Sequence, residues 1–194
     1  MKRCMLTLIV ALLATLTAGA QENKKSDVPN SEIAFTYLST RVPVGVGYVY
    51  TNGAVVAADA GKVWYPGFGV EWARGNRFAF VTNYTYARKS FAANMNDSLF
   101  TYTFGGRYTY RKNKSAIFGE ALIGGARETM NGTGGISVSA NYLAIQLGGG
   151  YDLSLSRNVA LRMPQVQYQA VTSGQTNSQQ LNMLQIGGGV VFRY

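Results

Sequence analysis

The chain has 194 residues, one cysteine, no histidine and a formal net charge of +9. A Ser-His hydrolase or acyltransferase and an ordinary zinc site are therefore excluded, and one cysteine permits no internal disulfide. The lysines and arginines are scattered rather than clustered, which argues against nucleic acid and fits a solvated or phosphate-rich surface.

Residues 1–20, "MKRCMLTLIVALLATLTAGA", combine a basic start, an apolar run from Met5 to about Leu16 and the small-residue end Ala18-Gly19-Ala20. That is the anatomy of a signal peptide cut after Ala20, and its apolar run is short for a membrane anchor. Cleavage removes Lys2, Arg3 and the lone Cys4, lowering the net charge from +9 to +7. Cys4 lies in the basic end, so a lipid-modified mature terminus is not indicated. Residues 21–30, "QENKKSDVPN", are polar and aperiodic and read as a periplasmic linker.

From Ser31 onward, alternation with a period of two takes over, and nothing in the mature chain reads as helix. The spacing predicts eight strands at about 31–40, 53–72, 77–89, 98–111, 115–128, 139–155, 158–172 and 180–194. The second is unusually long and is expected to bulge near Ala60-Gly61. In the seventh, the apolar phase is odd at Val159, Leu161 and Met163 and even at Val166, Tyr168 and Ala170. One extra residue at Pro164 accounts for the switch, and a β-bulge is where a sheet tolerates proline. The turns 73–76, 112–114 and 156–158 are tight and polar. The links at about 41–52, 90–97, 129–138 and 173–179 are longer and rich in Gly, Asn, Ser and Thr.

"FTYTFGGRYTY" (100–110) poses the decisive question. Its aromatics all occupy even positions, opposite threonine, glycine and Arg107. Successive strand side chains point to opposite faces, so one face is aromatic and the other small and polar. Three features put lipid on the aromatic side. Aromatics gather near strand ends, with Trp72, Tyr108, Tyr110 and Tyr194 at the short-turn end and Tyr37 and Tyr86 at the other. The opposite faces carry Glu71, Arg107, Glu120, Asp152 and Arg162 but are otherwise Thr, Gly, Ala, Ser, Gln and Asn, too bland for a solvated exterior. An even strand count with short turns at one end and long loops at the other completes the pattern. The expected fold is all-β, an eight-stranded antiparallel up-and-down transmembrane β-barrel over residues 31–194.

Charges in so narrow a lumen must be paired, and Glu120 is expected to pair with Arg107 or Arg162. The cluster can be a gate or a structural plug; eight strands leave an interior that side chains can fill, which points to a plug. The five strand-borne acids Glu32, Glu71, Glu120, Glu128 and Asp152 form no acid–base motif, and the glycine runs at 45–47, 148–150 and 187–189 lack the setting of a phosphate cradle.

Three stretches, "IFGEALIGGAR" (117–127), "LGGGYDLSLSRNVALRMPQVQY" (147–168) and "IGGGVVFRY" (186–194), resemble the small bacterial outer-membrane barrels related to the transmembrane domain of OmpA, above all their short single-domain members. The likeness covers the C-terminal half well and residues 21–60 only loosely. It implies that Phe192 and Tyr194 form the signal by which the barrel assembly machinery recognises the chain. In that pattern an Asp often precedes the tyrosine held here by Tyr168; this chain has Gln167, which puts an ion pair there in doubt. Absence of histidine removes the lipid-modifying enzymes built on such barrels.

The expected function is non-enzymatic: anchoring in a Gram-negative outer membrane and presenting external loops, as a monomer with no cofactor, metal or nucleic-acid partner. Outer-membrane lipids are the expected surroundings, with Arg88, Lys89 and Arg127 at the external rim against lipopolysaccharide phosphates; ordinary solvated loop charge is the alternative. The rival readings are a narrow porin-like channel and a soluble, lipocalin-like periplasmic binding barrel with its aromatics inward.

Overall fold

A computed structural model describes residues 30–43, 47–51, 54–58, 62–91, 95–132, 137–172 and 180–194. The signal peptide, almost all of the linker and the bulge expected at Ala60-Gly61 lie outside these residues.

Among the described residues, alternating apolar and polar residues form ten strands: β1 (Ser31–Pro43), β2 (Gly47–Thr51), β3 (Ala54–Ala58), β4 (Lys62–Gly75), β5 (Phe78–Phe91), β6 (Met95–Lys112), β7 (Ser115–Asn131), β8 (Ser137–Ser154), β9 (Val159–Thr172) and β10 (Gln180–Arg193). Eight of them close a barrel in the order β1-β10-β9-β8-β7-β6-β5-β4, all pairs antiparallel, with β4 returning to β1. Closure abolishes the open edges that a flat sheet of these eight strands would have.

Following the pairing once around gives the stagger. From Gly75 it runs through Ala79, Arg107, Glu120, Gly148, Gln167, Gln185 and Thr40, and re-enters β4 at Tyr65, ten residues from its start. Such a shear tilts the strands by roughly 35–45° to the barrel axis.

The expected second strand divides differently. Gly47–Thr51 and Ala54–Ala58 form a separate two-stranded antiparallel sheet, β2 on β3, with Thr51 opposite Ala54, and the barrel strand starts only at Lys62. Two of the anticipated long links, 90–97 and 129–138, are shorter than expected, because β5 runs on to Phe91, β6 starts at Met95, β7 reaches Asn131 and β8 starts at Ser137; β9 ends at Thr172 and β10 starts at Gln180, as the expected 173–179 link requires. Strand pairing therefore continues past the apolar band as hairpin arms. At the other end, Gly75 (φ +138°) and Asn113 (φ +55°) occupy the left-handed region beside the tight turns, which glycine and asparagine tolerate.

The bulge at Pro164 is present. Gly150 pairs with Gln165 and Asp152 with Arg162, so Met163 and Pro164 together face Tyr151; on the other side they face Gly188. The inward phase shifts accordingly, from Ala160 and Arg162 to Gln165, Gln167 and Gln169.

The barrel is apolar outside and polar over the lower and middle parts of its interior. Phe100, Tyr102, Phe104, Tyr108 and Tyr110 are 41–58% exposed, whereas Thr101, Thr103, Arg107 and Thr109 are at most 3% exposed. Trp72 donates its indole N–H to the Tyr194 hydroxyl at 3.1 Å at the short-turn end. Tyr37, expected near the other end, stands at the middle of β1, opposite Phe68 and Gly188.

Candidate functional site

The lumen is filled in three storeys. The lowest, toward the short turns, is ionic. Arg107 lies directly opposite Glu120, Arg162 opposite Asp152 and Arg193 opposite Glu32, so strand register alone writes three cross-strand pairs. Arg107 donates from Nε to Glu120 Oε2 at 3.1 Å and from Nη1 to Glu32 Oε1 at 3.0 Å; its Nη2 pairs with the same Glu120 oxygen and with Glu71 Oε2 at 2.5 Å. Arg162 grips Asp152 with a two-pronged fork, Nε to Oδ1 at 2.8 Å and Nη2 to Oδ2 at 3.1 Å, and donates to Glu71 Oε1 from Nη1 at 2.6 Å. Glu71 thus bridges the two arginines.

Glu32 gathers the periphery. Arg162, Arg111 and Arg193 approach its carboxylate at 3.5, 3.7 and 3.5 Å, and Arg193 also approaches Asp152 at 3.5 Å. Four arginines therefore face four carboxylates and the storey is neutral. The Phe118 ring lies 4.1 Å from the Arg107 guanidinium carbon and 4.3 Å from that of Arg162, so the cations rest on an aromatic face as well as on acids. Burial without such partners would cost several kcal/mol per ion.

The middle storey is made of amides and hydroxyls. Gln146, Gln165, Gln167, Gln169 and Gln185 are all 0–2% exposed, with Thr36, Thr40, Asn83, Thr85, Thr101 and Thr103 beside them. Gln167 Nε2 donates to Glu120 Oε1 at 2.9 Å, tying this storey to the one below. Gln167 thus serves as a neutral donor to the acid.

The upper storey, toward the long loops, is apolar: Val42, Tyr65, Ala87, Leu99, Ala126, Ala144, Val171 and Met183 pack together, flanked by Val63 and Tyr142. Its two phenols point at acids. Tyr65 donates to Asp97 Oδ2 at 2.7 Å and Tyr142 to Glu128 Oε2 at 3.0 Å.

All five residues read from the sequence as lumen charges stand in the lowest storey, and Glu120 does pair with Arg107; Arg162 takes Asp152 and Glu71 instead. Glu32, Arg111, Arg193 and Phe118 are further members of the cluster that the sequence reading misses. Glu32 and Arg193 sit on the inward phase of the first and last barrel strands, which meet only on closure, and that phase is their one signal. Phe192 and Tyr194 both face outward, with the Phe192 ring 6.2 Å from that of Phe35. Of the three residues read as rim cations, Arg88 and Arg127 face outward, whereas Lys89 stands on the inner-face phase opposite Asp97.

No protein-family profile matches the chain, and no curated protein matches it significantly. Solved structures do. The Neisserial surface protein A superposes with a TM-score of 0.65 at 11% identity, over 85% of this chain and 97% of that one. Ail, the attachment invasion locus protein of Yersinia pestis, in complex with the heparin analogue sucrose octasulfate, gives 0.50 at 16% identity, over 85% and 99%. The outer membrane protein OprG from Pseudomonas aeruginosa gives 0.50 at 11% identity, over 86% and 97%. The fold is that of the small eight-stranded outer-membrane β-barrels.

Proposed function

We propose that this chain is a non-enzymatic outer-membrane β-barrel that anchors itself through its aromatic outer face and presents the long-loop end to the exterior. The observation that carries the reading is the inversion of polarity. Large apolar side chains stand exposed all round the wall, while four arginines and four carboxylates are locked together inside. A protein in water would expose contiguous apolar surface on this scale only as a liability; in lipid it is the favoured arrangement. The chain is exported with residues 1–20 removed, leaving its short turns periplasmic. Phe192 and Tyr194, outward on the closing strand, are its mark for the assembly machinery.

The three-storey filling favours a plug over a channel. A through path would have to cross an ionic layer and then a separate apolar one. The outward aromatics likewise speak against a soluble ligand-binding barrel. Membrane fractionation followed by electrophoresis with and without boiling tests the main claim. An outer-membrane protein that needs detergent and shifts mobility on heating supports it; recovery in the soluble periplasm without a shift overturns it. Planar-bilayer recordings test the plug, and steady single-channel steps would refute it.

A further inference from the structure

All six side-chain carboxylates among the described residues, Glu32, Glu71, Asp97, Glu120, Glu128 and Asp152, belong to the inner face of the barrel. Among the described residues, the outer face has cations without acids. At its long-loop end three of these are exposed arginines: Arg41 on β1, Arg88 on β5 and Arg127 on β7. Arg41 is directly opposite Trp64 of β4, and Arg127 directly opposite Phe100 of β6. Arg88 lies on the strand between those two aromatic-bearing strands. Five adjacent strands thus alternate cation, ring, cation, ring, cation. The ten-residue stagger, shared evenly among the eight strands, brings the three arginines to within about one residue of a common height. Among the described residues, none of the three has a carboxylate within ion-pair distance.

We propose that this collar docks the phosphate headgroups of anionic outer-leaflet lipids. The inference rests on the membrane reading above and names the lipid chemistry of its external rim. A guanidinium offers a planar fork of donors that matches phosphate oxygens in pairs, and rings such as Trp64 and Phe100 seat at the boundary between acyl chains and headgroups. The three arginines leave the wall sideways, on the same face as the lipid-facing rings, so the headgroup layer is the polyanion they meet. Arg88 and Arg127 flank β6 and so stand roughly 10 Å apart. One phosphate cannot fill both forks; a lipid carrying two phosphates, or two neighbouring lipids, does. Lys89, on the inner phase beside Asp97, takes no part.

The test uses the full chain folded in phosphatidylcholine vesicles, titrated with diphosphorylated lipid A and with its dephosphorylated form, bound lipid being counted per barrel by mass spectrometry. Each of Arg41→Gln, Arg88→Gln and Arg127→Gln is expected to weaken retention of the phosphorylated lipid roughly fivefold, and the triple variant about a hundredfold. Lys89→Gln and the opposite-rim pair Arg74→Gln/Arg157→Gln are expected to leave it unchanged. A heat-induced mobility shift checks that every barrel is folded, and the single variants carry the comparison if the triple variant does not fold. Loss of the shift in the unmodified protein would count against the membrane reading itself. Equal retention by folded wild-type and variant barrels would overturn the collar, as would retention that ignores the phosphates. Binding of sucrose octasulfate in lipid-free detergent, abolished by the same substitutions, would assign the collar to a soluble polyanion and overturn the lipid.

Discussion

Replacing Arg107 with methionine isolates the energetics of the ionic storey. The side chain is 1% exposed and holds Glu120, Glu71 and Glu32 at once. Its loss leaves three arginines facing four carboxylates. Glu120 Oε2 then loses both of its bonds from Arg107, while Oε1 keeps only the Gln167 amide. Removing one partner of a buried pair costs about 3–5 kcal/mol, most of it the uncompensated charge left behind. The surplus charge is abolished in Arg107→Met/Glu120→Gln, where the amide that replaces the carboxylate keeps an oxygen for Gln167. That double variant is expected to lose only about 1–2 kcal/mol, giving a coupling of at least about 2 kcal/mol between the two positions. Urea unfolding of the barrel in lipid vesicles, followed by tryptophan emission and by the heat-induced gel shift, measures all four corners of the cycle. A single-variant loss below about 1 kcal/mol, or a coupling within about 0.5 kcal/mol of zero, would refute the account of a mutually neutralising cluster.

Gln169 is fully buried with neither end of its amide bonded to protein, so Gln169→Leu should be neutral or stabilise by up to about 2 kcal/mol in the same unfolding assay; a large loss would reveal a bond the structure does not contain. Tyr65→Phe removes a donor to the buried Asp97 and should cost about 1–3 kcal/mol, a loss that Tyr65→Phe/Asp97→Asn should reduce. Alanine at both Phe192 and Tyr194 should slow insertion in cells while spontaneous refolding into pure lipid changes little, and equal slowing in both would assign these residues to packing alone. Trp72→Phe, which deletes the hydrogen bond to Tyr194, should lower stability by about 0.5–1.5 kcal/mol; no change would make that contact incidental.

The faces of the wall are readable because strand geometry has a period of two and the chain obeys it almost without exception. Even the Pro164 bulge announces itself, as a change of phase between Met163 and Val166. The same rule sets Lys89 apart from Arg88: consecutive strand residues cannot both face lipid, and grouping them overlooks this. The β2–β3 hairpin reads as part of one long strand because its alternation runs without a charge from Val42 to Ala58. Asn52-Gly53, a strong hairpin signal, lies between Thr51 and Ala54 in the sequence and is the clue that corrects it. The sharing of Glu71 and Glu32 among several arginines is not readable at all. It depends on which side chains reach the same height, and the ten-residue stagger that decides this is a property of the closed ring rather than of any strand.

The meeting of β1 and β10 has a consequence for the order of assembly. Arg107 with Glu120 and Arg162 with Asp152 are partners within consecutive hairpins and can form as those hairpins zip. Glu32 on β1 and Arg193 on β10 belong to the two strands that meet only at the closing seam, where they stand directly opposite one another. Before that, Glu32 can already lie in the sheet beside β4, but its contact with Arg193 across the seam is unmade. The final zippering of the seam is thus rewarded electrostatically at the moment the ring becomes whole. A seam slipped by one residue would turn Glu32 away from Arg193, so the ionic storey favours the register in which the first and last strands meet.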